Sequence, residues 1–166
     1  MAPFIHQRHK PPRTLSAPRE LIVACCPMRS NVNLARIVRT AGCCGVSRVI
    51  ACGRPRLDPE IVRDALECVA LETHRSLPPV LARLKRDGYA IIGIEQTTES
   101  IDIHTYAFPR RAVLVIGNER LGIDESVLAL LDAAVEIPVF GRPLSYNAAS
   151  AADMALYEYC RQYPCA

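Results

Sequence analysis

Short, almost unbroken apolar runs alternate with amphipathic stretches along most of this chain. The apolar runs cover residues 20–26, 48–52, 89–95, 112–116 and 134–137, each of strand length. Between them, apolar positions recur with helical spacing over residues 33–43, 59–71, 79–87, 124–131 and 147–162. Strands that are apolar throughout, rather than at every second residue, are buried on both faces. The pattern therefore predicts an α/β fold, a parallel sheet covered by helices on both faces. Boundary residues agree: Pro59 and Pro79 suit a first helical turn, Asp58 and Asp124 suit N-caps, and Gly88 after Lys85 and Arg86 suits a helix stop. In such a sheet a ligand lies beyond the carboxyl ends of the strands. That directs attention to four polar or glycine-bearing segments, residues 28–33, 96–100, 117–122 and 141–147.

Composition adds limits. The 166 residues, 50% of them hydrophobic, fit one domain, and no apolar run approaches the roughly 20 residues a membrane-spanning helix needs. Residues 1–19 carry Arg8, Lys10, Arg13 and Arg19 with no acid, so the net +3 divides into +4 there and −1 in residues 20–166. A basic, proline-rich tail over 1–19 followed by a domain over 20–166 is the expected organisation, the tail solvated and disordered or touching phosphate. No secretory-type apolar stretch opens the chain, and a cytoplasmic protein is expected. The eight cysteines form no C-x-x-C pair and the four histidines are scattered, so the cysteines read as small buried hydrophobes and no metal is expected.

Several common chemistries fail on the loops. GNERLG from Gly117 spaces its glycines like a phosphate loop, but Ile123 and Asp124 stand where Lys and Ser or Thr would be required. No strand is followed by G-x-G-x-x-G, and no G-x-S-x-G elbow is present. What remains is a set of polar residues each with an ordinary explanation: Arg39 as a solvated or ion-paired side chain, Glu119 as a turn cap, Asn147 as an N-cap.

Together these residues carry a resemblance. NVNLARIVRTAGCCGVSRVI (31–50), AVLVIGNERLGI (112–123) and VEIPVFGRPLSYNAASAADMALYEY (135–159) resemble, in order and spacing, the three motifs of the SpoU/TrmH branch of the SPOUT RNA 2′-O-methyltransferases. The run GYAIIGIEQTTESIDIHTYAFP (88–109) is similar to the catalytic domain of the eukaryotic tRNA guanosine 2′-O-methyltransferases. The family's usual S-L-N is here Ser145-Tyr146-Asn147, which alters the pocket's shape and keeps its polar pair.

The resemblance implies a C-terminal deep trefoil knot, contrary to the general absence of knots. It further implies a homodimer that transfers a methyl group from S-adenosylmethionine to a ribose 2′-hydroxyl of RNA. The favoured target is a D-loop guanosine of tRNA; ribosomal RNA is the alternative, as is a module that binds S-adenosylmethionine or RNA without catalysis. The α/β pattern by itself also permits a flavodoxin-like nucleotide-binding enzyme. The implied catalytic residues are Asn33, Arg39, Glu119, Ser145 and Asn147, and the implied cofactor residues Gln96, Gly117, Ile137, Ser145 and Tyr146. A guanidinium is a poor base, so Arg39 is expected to hold a phosphate or the developing alkoxide while the others orient it and the ribose. Affinity for RNA would come from local clusters: Arg36 with Arg39, Arg54 with Arg56, Arg110 with Arg111.

Overall fold

Strand β1 (Leu21–Cys25) is buried at every position because its alternate side chains enter two different cores. Leu21, Val23 and Cys25 pack on one face of the sheet, and Ile22, Ala24 and the following Cys26 on the other. The adjacent cysteines thus serve as small apolar groups on opposite faces. In this computed structural model, which describes residues 4–7 and 10–165, β1 is an interior strand of a seven-stranded parallel sheet, beside its middle strand. The other strands are β2 (Arg48–Cys52), β3 (Ala70–His74), β4 (Ala90–Ile94), β5 (Ile101–Asp102), β6 (Ala112–Ile116) and β7 (Ala133–Glu136), in the order β3-β2-β1-β6-β4-β7-β5.

Helices α1 (Asn31–Cys43) and α5 (Ala148–Gln162) fill the first core, joined there by Val62 of the short α2 (Pro59–Val62). On the opposite face α3 (Pro78–Arg86) supplies Val80, Leu81 and Leu84, and α4 (Glu125–Leu128) supplies Val127. The parallel sheet with both faces covered is the one expected. None of the helices among the described residues is long and apolar enough to cross a membrane.

The differences from expectation have local causes. The apolar positions Val62, Ala65 and Val69 do reach the first core, but not on one helix. Residue Arg63 takes φ +50°, α2 stops there, and a 3₁₀ segment (Arg63–Glu67) leads into β3, which the sequence had placed partly in helix 59–71. β3 lies at a sheet edge, half exposed, in register with β2 from Arg48↔Ala70 to Cys52↔His74. The Arg48 and Glu72 side chains pair across the two strands. Two-residue β5, at the other edge, is too short to leave a period. Helix 124–131 shortens to α4, held at its start by the Asp124 carboxylate, which accepts from Val127 N at 3.1 Å.

The end of the basic tail is part of the fold. Arg19, 9% exposed, donates to Cys44 O and to Tyr163 O, both at 2.7 Å, and so ties the end of α1 to the end of α5. Ser16 Oγ donates to Cys165 O at 2.6 Å, and a Cβ on Gly45 would meet Leu15 Cδ1 at 2.6 Å. The solvated tail expected through residue 19 therefore does not extend through Leu15, Ser16 and Arg19, because two helix ends present unpaired carbonyls to the arginine. Arg8, a cation of that expected tail, lies outside the described residues.

Candidate active site

Cys25, Ile116 and Ile94 stand level across β1, β6 and β4, so the loops that follow these strands emerge at one edge of the sheet. Beyond β6 the chain closes on itself. Asn118 N donates to Gly122 O at 2.9 Å, Gly122 N returns to Asn118 O at 3.0 Å, and Asn118 Oδ1 accepts from Arg120 N at 2.9 Å and Leu121 N at 3.1 Å. Gly122 has φ +68°, and a Cβ on Gly117 would lie 2.8 Å from the Gly122 carbonyl carbon. Both glycines are thus required, one by backbone conformation and the other by close approach.

This closed turn forms one wall of a cavity of about 480 Å³, within the roughly 300–1,000 Å³ usual for small-molecule sites. Gln96, Gly117, Ile137, Ser145 and Tyr146, drawn from four separate segments, all line it. Every residue assigned to the cofactor from sequence therefore meets at a single cavity. Glu95 also lines it and was missed. Its Oε2 accepts from Ile123 N at 3.1 Å and its Oε1 from Gln96 N at 3.1 Å, which braces the turn against β4. A carboxylate directly after the buried Ile92-Gly93-Ile94 was the available signal.

Glu119 connects the cavity to α1. Its Oε1 accepts from Ser30 N at 3.0 Å and from Asn33 Nδ2 at 3.1 Å, and its Oε2 accepts from Arg29 N at 3.1 Å. Asn33 Oδ1 in turn accepts from Asn147 Nδ2 at 3.3 Å. Asn147 also does the ordinary capping work foreseen for it, whereas Asn33 caps no helix. Asn147 Oδ1 caps α5 through Ala149 N and Ser150 N, while α1 begins two residues earlier than expected, capped by Ser30, with Asn33 buried in its first turn. Burial pushes the Glu119 carboxyl up, but the donors Arg29, Ser30 and Asn33 and its own backbone outweigh it, so its pKa falls below the ordinary carboxylate value. A general base for neutral pH needs the opposite shift. Glu119 is an ionised group that fixes the Arg29 and Ser30 amides and the Asn33 side chain.

Two assigned residues stand outside this network. Six residues at about 100° each put Arg39 roughly 120° round α1 from Asn33. It is exposed, and its guanidinium reaches Ile61 O at 3.5 Å. Ser145 is exposed on the cavity rim. Of the arginine clusters, Arg110 stacks on Tyr163 at 4.7 Å, and Arg111 stacks on Tyr89 at 4.5 Å and pairs with Glu20 at 3.5 Å; both have partners within the fold.

The cavity suits a ligand that carries positive charge. Its lining contains two carboxylates, Glu95 and Glu119, against one cation, Arg120, which opposes a phosphate and favours a sulfonium.

Comparisons with known proteins agree with this geometry. Residues 20–157 match the SpoU rRNA Methylase family. The chain is 42% identical over 82 residues to mouse tRNA (guanosine(18)-2′-O)-methyltransferase TARBP1, covering 49% of this chain and 5% of that protein. It is 31% identical over 133 residues to the Escherichia coli K12 tRNA (guanosine(18)-2′-O)-methyltransferase, covering 78% of this chain and 58% of that enzyme. The chain thus spans under two thirds of the length of these relatives. The TrmH/SpoU tRNA modifying enzyme of A. aeolicus superposes with a TM-score of 0.83 at 25% identity, over 88% of this chain and 76% of that one. AviRb from Streptomyces viridochromogenes, a SpoU methyltransferase solved in complex with the cofactor AdoMet, superposes with a TM-score of 0.77 at 25% identity, over 92% and 64%. With the family match running through all the loops that build the cavity, the chain belongs to the SpoU rRNA Methylase family.

Proposed function

We propose that this protein is an S-adenosylmethionine-dependent RNA methyltransferase that modifies a ribose 2′-hydroxyl, with tRNA as substrate and a D-loop guanosine as target. The observation that carries the reading is the joining of two sets: the five cofactor residues line one cavity, and Glu119 on its wall is hydrogen-bonded to Asn33, which accepts from Asn147. The names of the mouse and E. coli relatives support tRNA over ribosomal RNA.

S-adenosylmethionine, when bound, supplies an electrophilic methyl group on a sulfonium centre. Gln96, Gly117, Ile137, Ser145 and Tyr146 would hold its nucleoside through the cavity wall, and Glu95 and Glu119 would favour its positive charge. Methyl transfer to a hydroxyl depends on placement, which would fall to this chain's own side chains. Asn33 and Asn147, fixed by each other and by Glu119, orient the ribose. Ser145 offers a hydroxyl from the rim. Arg39, exposed and, among the described residues, held by one 3.5 Å contact, would be free to turn to the substrate and stabilise charge on the 2′-oxygen or bind a neighbouring phosphate, while the proton leaves to solvent or phosphate. A carboxylate held below its ordinary pKa does not compete for that proton.

The same reading includes a homodimer. Leu121, which lines the cavity, and Phe140 and Leu144, which neighbour its lining residues Val139 and Ser145 in sequence, are 83%, 91% and 74% exposed, apolar side chains that a second copy of the chain would cover. It also includes the deep trefoil knot, supported by α5 lying against α1 after the chain leaves β7 between β4 and β5. A cytoplasmic location is supported by the free thiols, Cys44 and Cys160 included.

The experiment is transfer of labelled methyl groups from S-adenosylmethionine to unmodified tRNA transcripts and to ribosomal RNA fragments. Incorporation into tRNA at a ribose is expected. Label only in ribosomal fragments overturns the substrate, and cofactor binding without transfer to either leaves a binding module.

A further inference from the structure

A second cavity, about 310 Å³, opens at the carboxyl ends of β1 and β2. Its walls hold Arg29, Arg54 and Arg56 together with Ser30 and Asn31 at the start of α1, and no aspartate or glutamate. Among the described residues none of these three arginines takes part in an ion pair. The amides of Asn31 and Val32, in the first turn of a 13-residue helix, have no acceptor among the described residues. The acids that bear on the floor all stand outside the lining: Asp124 acts on Cys26 and Cys52, Glu95 on Cys26 and Glu119 on Cys25. Each carboxylate already accepts within the fold, Asp124 from Val127 N and Ser126 Oγ, Glu95 from Ile123 N and Gln96 N, and Glu119 from Arg29 N, Ser30 N and Asn33 Nδ2. Burial pushes the floor thiols Cys26 and Cys52 up to about 11, so the floor is uncharged.

The charge of this cavity is the reverse of its neighbour's. The cofactor cavity is lined by two carboxylates and one arginine, the second by three arginines and no acid. They share a wall: Glu119 lines the first, Arg29 and Ser30 line the second, and the Glu119 carboxylate accepts both of their amides at 3.1 and 3.0 Å. Groups bound in the two cavities would lie one hydrogen-bonded bridge apart. Three forked, unpaired cations beside free helix-terminal amides select a phosphate.

We infer that this second cavity binds a backbone phosphate of the RNA close to the ribose being methylated, with Arg54 and Arg56 as its side-chain ligands. The inference rests on the reading of the protein as an RNA methyltransferase. It adds the contact by which a body of net charge −1 holds its substrate: of the three arginine pairs in the sequence, Arg110 and Arg111 are occupied within the fold, whereas Arg54 and Arg56 are exposed and unpaired.

The test is the salt dependence of tRNA-transcript binding by the full chain, with S-adenosylmethionine affinity measured on the same samples. Replacing both residues (R54A with R56A) should lower the slope of log affinity against log salt by up to about 0.7–0.9 for each lost phosphate contact. KM for the transcript should rise about tenfold, and cofactor affinity should stay within about twofold. The charge-keeping pair R54K with R56K should retain the slope. If the double alanine variant loses cofactor affinity, R54Q and R56Q singly replace it, and each should lower the slope by about half as much. An unchanged slope with intact cofactor binding overturns the phosphate site, as does a raised KM with an unchanged slope. A wild-type protein that neither binds S-adenosylmethionine nor methylates RNA instead overturns the reading beneath it.

Discussion

Replacing Glu119 by glutamine isolates the charge of the group that joins cofactor cavity to α1. The carboxylate accepts three hydrogen bonds, two on Oε1 from Ser30 N and Asn33 Nδ2 and one on Oε2 from Arg29 N. A glutamine can place its carbonyl oxygen where Oε1 stands and keep two of them. Its amide nitrogen then faces Arg29 N–H, donor against donor. The lost bond costs about 1 kcal/mol, and the two that pass from charge-assisted to neutral lose about 0.5–1 kcal/mol each, so the variant should be about 2–3 kcal/mol less stable at pH 7. Urea unfolding measures this, and an unchanged m-value identifies a change in stability rather than in compactness. The pH dependence supplies a second check. Because the folded pKa of Glu119 lies below its ordinary value, its ionised form stabilises the fold fully above the unfolded pKa of about 4.3, and that contribution is lost as pH falls through the folded value. The gap between wild type and E119Q should therefore be equal at pH 7 and pH 6 and shrink below about pH 4.3. No gap at pH 7, or the same gap at pH 3, refutes the reasoning.

Four further outcomes are expected. R39A should nearly abolish methyl transfer while cofactor affinity stays within a few-fold, and R39K should recover little, because a point charge does not reproduce the guanidinium fork; full activity in R39A would remove the residue from the mechanism. G117A forces a Cβ to within 2.8 Å of the Gly122 carbonyl carbon, so the turn must shift; isothermal titration should show cofactor affinity at least tenfold weaker. R19M leaves Tyr163 O without its donor and Cys44 O with the weak Cys160 Sγ contact at 3.7 Å alone, at a cost of about 2–4 kcal/mol, and calorimetry should record Tm lower by roughly 5–15 °C. Sedimentation should give a dimer at micromolar concentration, and L144E, placed in the exposed apolar rim, should yield monomer; a monomeric wild type contradicts the proposed assembly.

What the sequence determined by itself was whatever depends on near neighbours. Strands β1, β4 and β6, and β2 after Arg48, are apolar in unbroken runs because both of their faces are buried, and the caps Asp58, Asp124 and Asn147 bind amides two or three residues away. The loops beyond the strand ends were legible too, since sheet geometry places ligands there, and the motif resemblance named the residues within them. The edge strands β3 and β5 were not, because half-exposed Glu72 and His74 or a pair of residues make no period. Nor was the break at Arg63, where pairing of β3 with β2 outweighs a helical pattern that still reaches the core. The site itself is tertiary. Asn33 meets Glu119 across 86 residues of sequence and Asn147 across 114, so the order of the strands brings these groups together, while helical phase leaves Arg39, six residues along the same helix, outside. Arg19 passed for one more cation of a basic tail until two helix ends, 25 and 144 residues away, supplied the carbonyls that bury it.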